Sequence, residues 1–245
     1  MSPESGSIRV AIMQPYLLPY IGYWQLMRNV DYFVVYDDIK YTKKSWINRN
    51  RYLLNGEPKV FSIPLQKDSD HLDVRDRWMS EGATGEMSKL MRKLLSAYRG
   101  APAFEQGRSL LEQVLACEDR NLFGFLMHSI ERVHACLGLQ TQLVVSSSLG
   151  VSRELKGQDR VIAICEALRG SEYLNPIGGV ELYDLDAFRS RGIRLLFQRV
   201  SPFEYEQFEH EFVPNLSILD ALMFLGADGV NKLLPKMETF ESRTK

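Results

Sequence analysis

Ile8-Arg-Val-Ala-Ile-Met13 and Asp31-Tyr-Phe-Val-Val-Tyr36 are two short, apolar, β-branched runs, and both read as buried strands. Between them lies Gln14-Pro15-Tyr16-Leu17-Leu18-Pro19-Tyr20-Ile21-Gly22-Tyr23-Trp24, whose prolines forbid regular structure until after Pro19. A short helix is expected to follow, up to Arg28 or Asn29. Strand, turn, helix and strand within about thirty residues is the length of a βαβ unit. The first two strands are therefore predicted to be parallel.

The alternation resumes towards the C-terminus. Leu143-Val-Val-Ser146, Glu172-Tyr-Leu174 and residues 193–200 read as further strands, with helices at 159–168 and about 182–191. Ser217-Ile-Leu-Asp220 has the form of a capping pair opening a last helix. Between the two halves, residues 46–54 and 60–65 have strand character around Asn55-Gly56, a strong hairpin signal. Residues 67–85 are polar and aperiodic, expected as a loop with at most one edge strand. Three helices are predicted at about 86–98, 102–116 and 121–137, the middle one carrying an apolar stripe of Phe104, Leu110, Leu111, Val114 and Leu115. The fold class expected is α/β, a mainly parallel sheet flanked by helices, with a β ribbon and an inserted helical block. One domain is expected over 1–245, with a helical subdomain at about 86–138.

Composition narrows the partners. The 245 residues hold 30 basic and 31 acidic side chains, a formal net charge of −1. That lacks the basic surface needed to hold a nucleic-acid backbone. Cys117, Cys136 and Cys165 show no CxxC spacing and fall in helical-looking stretches, so they are expected as buried thiols in a reducing cytoplasm. No signal-peptide pattern and no membrane-length apolar run is visible. His71, His128, His134 and His210 have no metal-ligand spacing, so no metal is expected. No GxSxG elbow, P-loop or dinucleotide fingerprint occurs, no nucleophile stands out, and no cofactor is specified.

Ligands of open parallel sheets bind beyond the carboxyl ends of the strands. Four segments lie there: 14–23, 37–44, 146–148 and 175–179. The first, with Gln14, Tyr16, Tyr20, Gly22 and Tyr23, reads either as a rigid turn packing its tyrosines or as a nucleotide pocket. In the second reading Tyr20-Ile-Gly-Tyr23 stands where nucleotidyl-transferase folds carry a HIGH signature, though tyrosines replace both histidines and bring no positive charge. Asp37 and Asp38 follow the second strand; paired carboxylates there can bind Mg²⁺ or act as a base, or form a solvated turn with one of them salt-bridged to Lys43 or Lys44. In an extended chain their side chains diverge, so one only is expected in the site.

Lys43-Lys44-Ser45-Trp46-Ile47-Asn48-Arg49-Asn50-Arg51 is the most informative run. On a strand, Arg49 and Arg51 share one face about 7 Å apart, a span suited to a phosphate or pyrophosphate. Trp46, Asn48 and Asn50 would share the other, the indole stacking on a sugar or base and the amides fixing hydroxyls. An exposed ribbon with surface ion pairs is the plainer alternative. In Asn175-Pro-Ile-Gly-Gly179, Gly178 and Gly179 permit close backbone approach to a ligand, or simply a tight turn.

Taken together, these segments resemble the WbqC-like family of bacterial proteins. The residues carrying the resemblance are Ala11-Ile-Met-Gln14-Pro15-Tyr16, Pro19-Tyr20-Ile21-Gly22-Tyr23, Tyr36-Asp37-Asp38, Trp46-Ile-Asn48-Arg49-Asn50-Arg51, Ile63-Pro64-Leu65, Tyr173-Leu-Asn175-Pro176-Ile177-Gly178-Gly179, Phe212-Val-Pro214 and Leu216-Ser217-Ile-Leu-Asp220. The resemblance implies a role in O-antigen or other surface-polysaccharide biosynthesis, and amide formation on a sugar amine with glycine or another small acyl group.

The expected activity is thus a cytoplasmic transferase joining an activated acyl or aminoacyl group to a nucleotide-linked amino sugar. Arg49, Arg51 and Lys44 would hold the pyrophosphate, and Asp38 or Asp37 would take the proton of the attacking ammonium. Asn175 with the Gly178–Gly179 backbone would steady the oxyanion. The alternatives are an ATP-dependent ligase using the 14–23 pocket, and a noncatalytic sugar-nucleotide-binding component of a biosynthetic complex.

Overall fold

A computed structural model describes residues 6–241. The chain runs β1 (Arg9–Met13), α1 (Ile21–Arg28), β2 (Tyr32–Val35), the ribbon strands β3 (Arg49–Leu54) and β4 (Glu57–Ser62), and three helices, α2 (Ala83–Ala97), α3 (Phe104–Leu115) and α4 (Leu122–Cys136). It continues through β5 (Gln142–Val145), α5 (Gly157–Ala167), β6 (Glu172–Pro176), α6 (Leu185–Arg189), β7 (Arg194–Val200), α7 (Ile218–Leu233) and β8 (Met237–Phe240). Six strands form one sheet in the order β5-β2-β1-β6-β7-β8, and β3 and β4 form a separate antiparallel pair. β1 and β2 are parallel in the register Val10 to Tyr32, as the βαβ spacing requires. All main-sheet pairings are parallel except that of β8, which runs antiparallel to β7 and closes an edge the sequence pattern did not announce.

Alternation along the strands sends side chains to two cores. Ala11, Phe33, Val35, Leu174 and Leu196 face α1, α7 and the α2–α4 block in one continuous apolar cluster. Val10, Ile12, Val34, Tyr173, Leu195 and Phe197 face α5 and α6, where Val161, Ile164, Cys165 and Phe188 meet them. Strands buried on both faces explain the unbroken apolar runs.

Local signals behave as their chemistry dictates. Asn55 and Gly56 both take positive φ (53° and 76°), the geometry of a twisted two-residue hairpin. Asn121 caps α4 by accepting from the Phe123 and Gly124 amides. α7 is broken inside by Gly226, whose φ of 64° and ψ of 179° lie where only glycine is comfortable.

Three expectations are corrected. Residues 67–85 form a short 3₁₀ turn (Val74–Asp76) and isolated bridges such as Leu65 to Met79, with no edge strand. Ser217 caps α7 through the Leu219 amide, but Asp220 does not complete a capping box; its side chain is drawn into the core by Tyr98, Tyr205 and Gln207. Of the cysteines Cys165 alone is buried; Cys136, the last residue of α4, is exposed, and Cys117, in the irregular chain after α3, is half-buried.

Candidate functional site

The carboxyl ends of β1, β2, β5 and β6 share one edge of the sheet, and strand order reverses between β1 and β6. That is the switch point where open α/β sheets place ligands. The backbone after β1 is held there by the ribbon and by the turn before α7. Asn50 Nδ2 donates to the carbonyls of Leu17 (2.7 Å) and Leu18 (2.8 Å), and the Ser217 hydroxyl donates to Leu18 at 2.9 Å. Leu18 sits at φ 43°, Lys44 at 62° and Asn215 at 58°, left-handed conformations that non-glycine residues rarely adopt. All three lie in the segments that wall one pocket, and such strain persists only where surrounding contacts impose it.

The pocket measures about 280 Å³ and is lined by Tyr16, Pro19, Tyr20, Trp46, Asn50, Arg51 and Asn215. Arg49 and Arg51 share a face of β3, as strand alternation predicts, and each guanidinium carbon lies 5.3 Å from the Trp46 ring centre. The indole, 38% exposed, is therefore on the arginine side, correcting its expected place opposite them. The cause is that β3 begins at Arg49, so strand alternation does not reach back to Trp46. Asn48 and Asn50 are likewise committed: Asn48 accepts from the Tyr41 hydroxyl and donates to the Ile63 carbonyl, while Asn50 pins the post-β1 turn. Arg51 donates to the Asn215 carbonyl at 2.9 Å, and its buried Nε has no partner among the described residues. Arg49 is tied to the carbonyls of Ser45 and Lys44, and the Lys44 side chain is exposed.

The nucleotidyl-transferase comparison does not survive the geometry at α1. Tyr23 is fully buried against Phe33 and Trp24 and donates to the Gln14 carbonyl at 3.2 Å. The close approach that Gly22 permits is filled by the ring of Tyr20, 2.5 Å from where a Cβ would stand. Tyr16 and Tyr20 line the pocket; burial pushes both phenols above their ordinary value, so they are neutral hydrogen-bond donors at physiological pH.

Asp37 and Asp38, both buried, do not diverge, because the chain leaves the extended conformation after Val35. Their Oδ1 atoms both lie 2.7 Å from the Ser146 hydroxyl at the end of β5. Asp37 also accepts from the Ser147 amide at 3.0 Å, with Arg75 3.7 Å from its Oδ2. Asp38 Oδ2 is ion-paired to the buried Arg160 of α5, whose guanidinium lies under the Tyr36 ring at 5.0 Å. Burial alone would raise the Asp38 carboxyl, but the Ser146 hydroxyl and the Arg160 guanidinium outweigh it and hold it below the ordinary value. Lys43 pairs with Asp70 instead.

At the end of β6, Asn175 is buried, accepts from the Tyr173 hydroxyl at 3.0 Å and donates to the Pro176 carbonyl at 3.0 Å. Buried Gly179 lies directly on the Asn175 amide, where any Cβ would collide, whereas Gly178 faces open space. The functional backbone approach at Gly179 is therefore to Asn175 itself.

Sequence reasoning missed Arg160, Arg75 and Asn215. Arg160 carried a signal, since it stands one turn before Ile164 on the stripe that α5 buries, a position where an arginine demands an acidic partner. Arg75 and Asn215 lie in aperiodic segments with no such pattern. Among the described residues no cluster of metal-ligating side chains occurs, and no helix is long and apolar enough to cross a membrane.

One relative, "Uncharacterized protein Rv1507c" of Mycobacterium tuberculosis (strain ATCC 25618 / H37Rv), is 27% identical over 228 residues, covering 92% of this chain and 97% of its own. The pattern defining the WbqC-like protein family matches residues 14–232, which takes in the pocket, the acidic pair, Arg160, the Asn-Pro-Ile-Gly-Gly turn and the turn before α7. The chain belongs to the WbqC-like protein family.

Proposed function

We propose that the protein is a transferase that forms an amide on a nucleotide-linked amino sugar during surface-polysaccharide assembly, with the Trp46–Arg51 pocket taking the sugar and its neighbouring phosphate. The observation that carries this reading is the pair of guanidiniums held on one indole beside a pocket with aromatic walls. Guanidinium supplies directed donors for phosphate oxygens, and the phenols of Tyr16 and Tyr20 supply neutral donors for hydroxyls. At about 280 Å³ the pocket is near the lower end of ligand sites, room for one ring. The nucleotide would then run outward along Arg49 and Lys44.

For the chemistry, the two carboxylates are not equivalent. Asp38 is locked by Arg160, whereas the Asp37 Oδ2 faces Arg75 only at 3.7 Å, beyond hydrogen-bond length. In this reading Asp37 takes a proton from the sugar ammonium, and the freed amine attacks the donor's thioester carbonyl. The tetrahedral intermediate breaks its C–S bond to expel the thiolate, which takes up a proton. Asp38 fixes the Ser146 hydroxyl between the two carboxylates. Asn175, seated on Gly179, would donate its remaining amide hydrogen to the oxyanion.

A second reading, noncatalytic binding, is favoured by the same fact that both carboxylates already have donors. The test covers both. Nucleotide-linked glucosamine is titrated by calorimetry and then offered with glycyl and acyl thioester donors. The transferase reading expects binding and amide product, with Asp37→Asn losing about 10²–10⁴-fold in single-turnover rate while still binding. Binding without product from any donor decides for the second reading, and absence of binding overturns both.

A further inference from the structure

Asn215 has a position in the pocket that its exposed, aperiodic surroundings do not explain. Its backbone is fixed from both sides: its carbonyl accepts from Arg51 Nη2 at 2.9 Å, and two residues on the Ser217 amide donates to the Arg51 carbonyl at 2.9 Å. The Ser217 hydroxyl then anchors to Leu18 at 2.9 Å, so the turn before α7 is stitched to the ribbon and to the post-β1 turn together. The φ of 58° at Asn215 is a left-handed conformation that asparagine and glycine tolerate best. Among the described residues its side-chain amide has no hydrogen-bond partner, and Asn215 lines the pocket with Arg51, Tyr16 and Tyr20. The amide neither caps a helix nor braces the turn; the backbone does the bracing.

We infer that Asn215 is a specificity-determining residue that reads a neutral polar substituent of the ring, a hydroxyl or amide, while the adjacent Arg51 takes the anion. This rests on the proposed sugar-nucleotide reading of the pocket. An amide offers both a donor and an acceptor, so it can pair with a hydroxyl in either sense, which a carboxylate or a lysine in its place could not. A site whose polar group pairs with a substrate hydroxyl rejects ligands lacking that group, because the site's own group is left unpaired.

The experiment separates reading from bracing. Asn215→Gly keeps the left-handed backbone and the carbonyl that Arg51 holds, but removes the amide. Uridine diphosphate and its glucosamine conjugate are titrated calorimetrically against the parent chain and the variant, with thermal unfolding as a check on folding. The inference expects the parent to prefer the conjugate, and Asn215→Gly to lose at least about fivefold of that preference, with affinity for the diphosphate and the melting temperature nearly unchanged. Asn215→Asp should weaken binding of both ligands, because its carboxylate repels the phosphates they share. A preference that survives in Asn215→Gly overturns the inference and leaves the pocket assignment standing. Failure of the parent to bind either ligand overturns the pocket assignment and this inference with it.

Discussion

Asp38 and Arg160 are the most consequential charged pair at the sheet edge, because both side chains are almost wholly buried, 2% and 7% exposed. Removing one partner strands the other charge in a low-dielectric site. Asp38→Asn should cost about 3–5 kcal/mol in urea-unfolding stability. Asp38→Asn combined with Arg160→Met should recover a large part of it, since the stranded cation is gone. A single variant as stable as the parent would show that the pair is structurally idle. Asp220 is the opposite case: a buried carboxylate with donors from Tyr205 (2.6 Å), Gln207 (2.7 Å) and Tyr98 (2.8 Å), none of them a cation. Burial raises its carboxyl above the ordinary value despite those donors. A carboxyl raised by folding binds more protons in the native state, so its stabilising contribution is complete below the unfolded pKa and is lost as pH rises through the folded one. Asp220→Asn cannot titrate, so its stability relative to the parent should improve as pH is raised from about 4 towards neutrality. Asp38, held low, has the reverse sign: its contribution is present above the unfolded pKa and fades on acidification, so the Asp38→Asn penalty should shrink at low pH. Denaturant titrations at several pH values measure both slopes.

The elements themselves were the most legible part of the sequence, for physical reasons that differ from case to case. β1 and β2 are buried on both faces and therefore apolar throughout, and Asn55-Gly56 can hardly do anything but turn. The side-chain assignments at Trp46 and Asp37–Asp38 failed together, because alternation was extended past the ends of β3 and β2 into irregular chain. β8 was invisible, as four half-polar residues on an edge carry little pattern. Arg160, by contrast, was readable as a cation on a buried stripe. α7 shows what a single residue does to an element. Gly226 breaks it with a backbone geometry almost confined to glycine, and Oε1 of the Gln106 side chain sits 2.7 Å from where a Cβ would stand. Gly226→Ala should cost about 1–3 kcal/mol, read from urea unfolding, with Gln106 swinging aside and losing its hold on the Ala227 amide.

At the scale of the whole molecule, β1 lies between a near neighbour in sequence and a distant one. Arg9 of β1 meets Asp31, 22 residues away, through its amide, and Glu172, 163 residues away, through its guanidinium. Closing the longer loop costs on the order of 2 kcal/mol more in chain entropy than closing the shorter. The cheaper closure predicts that the β1–α1–β2 unit assembles before the β1–β6 seam, at which the strand order reverses. A ligand that needs both sides of that seam is then expected to meet a finished site only late in folding. Stopped-flow measurements should then find the refolding rate nearly indifferent to ligand and the unfolding rate slowed in proportion to its saturation. A refolding rate indifferent to ligand would place completion of this sheet edge after the rate-limiting step, and a rate raised by ligand would place it at or before that step.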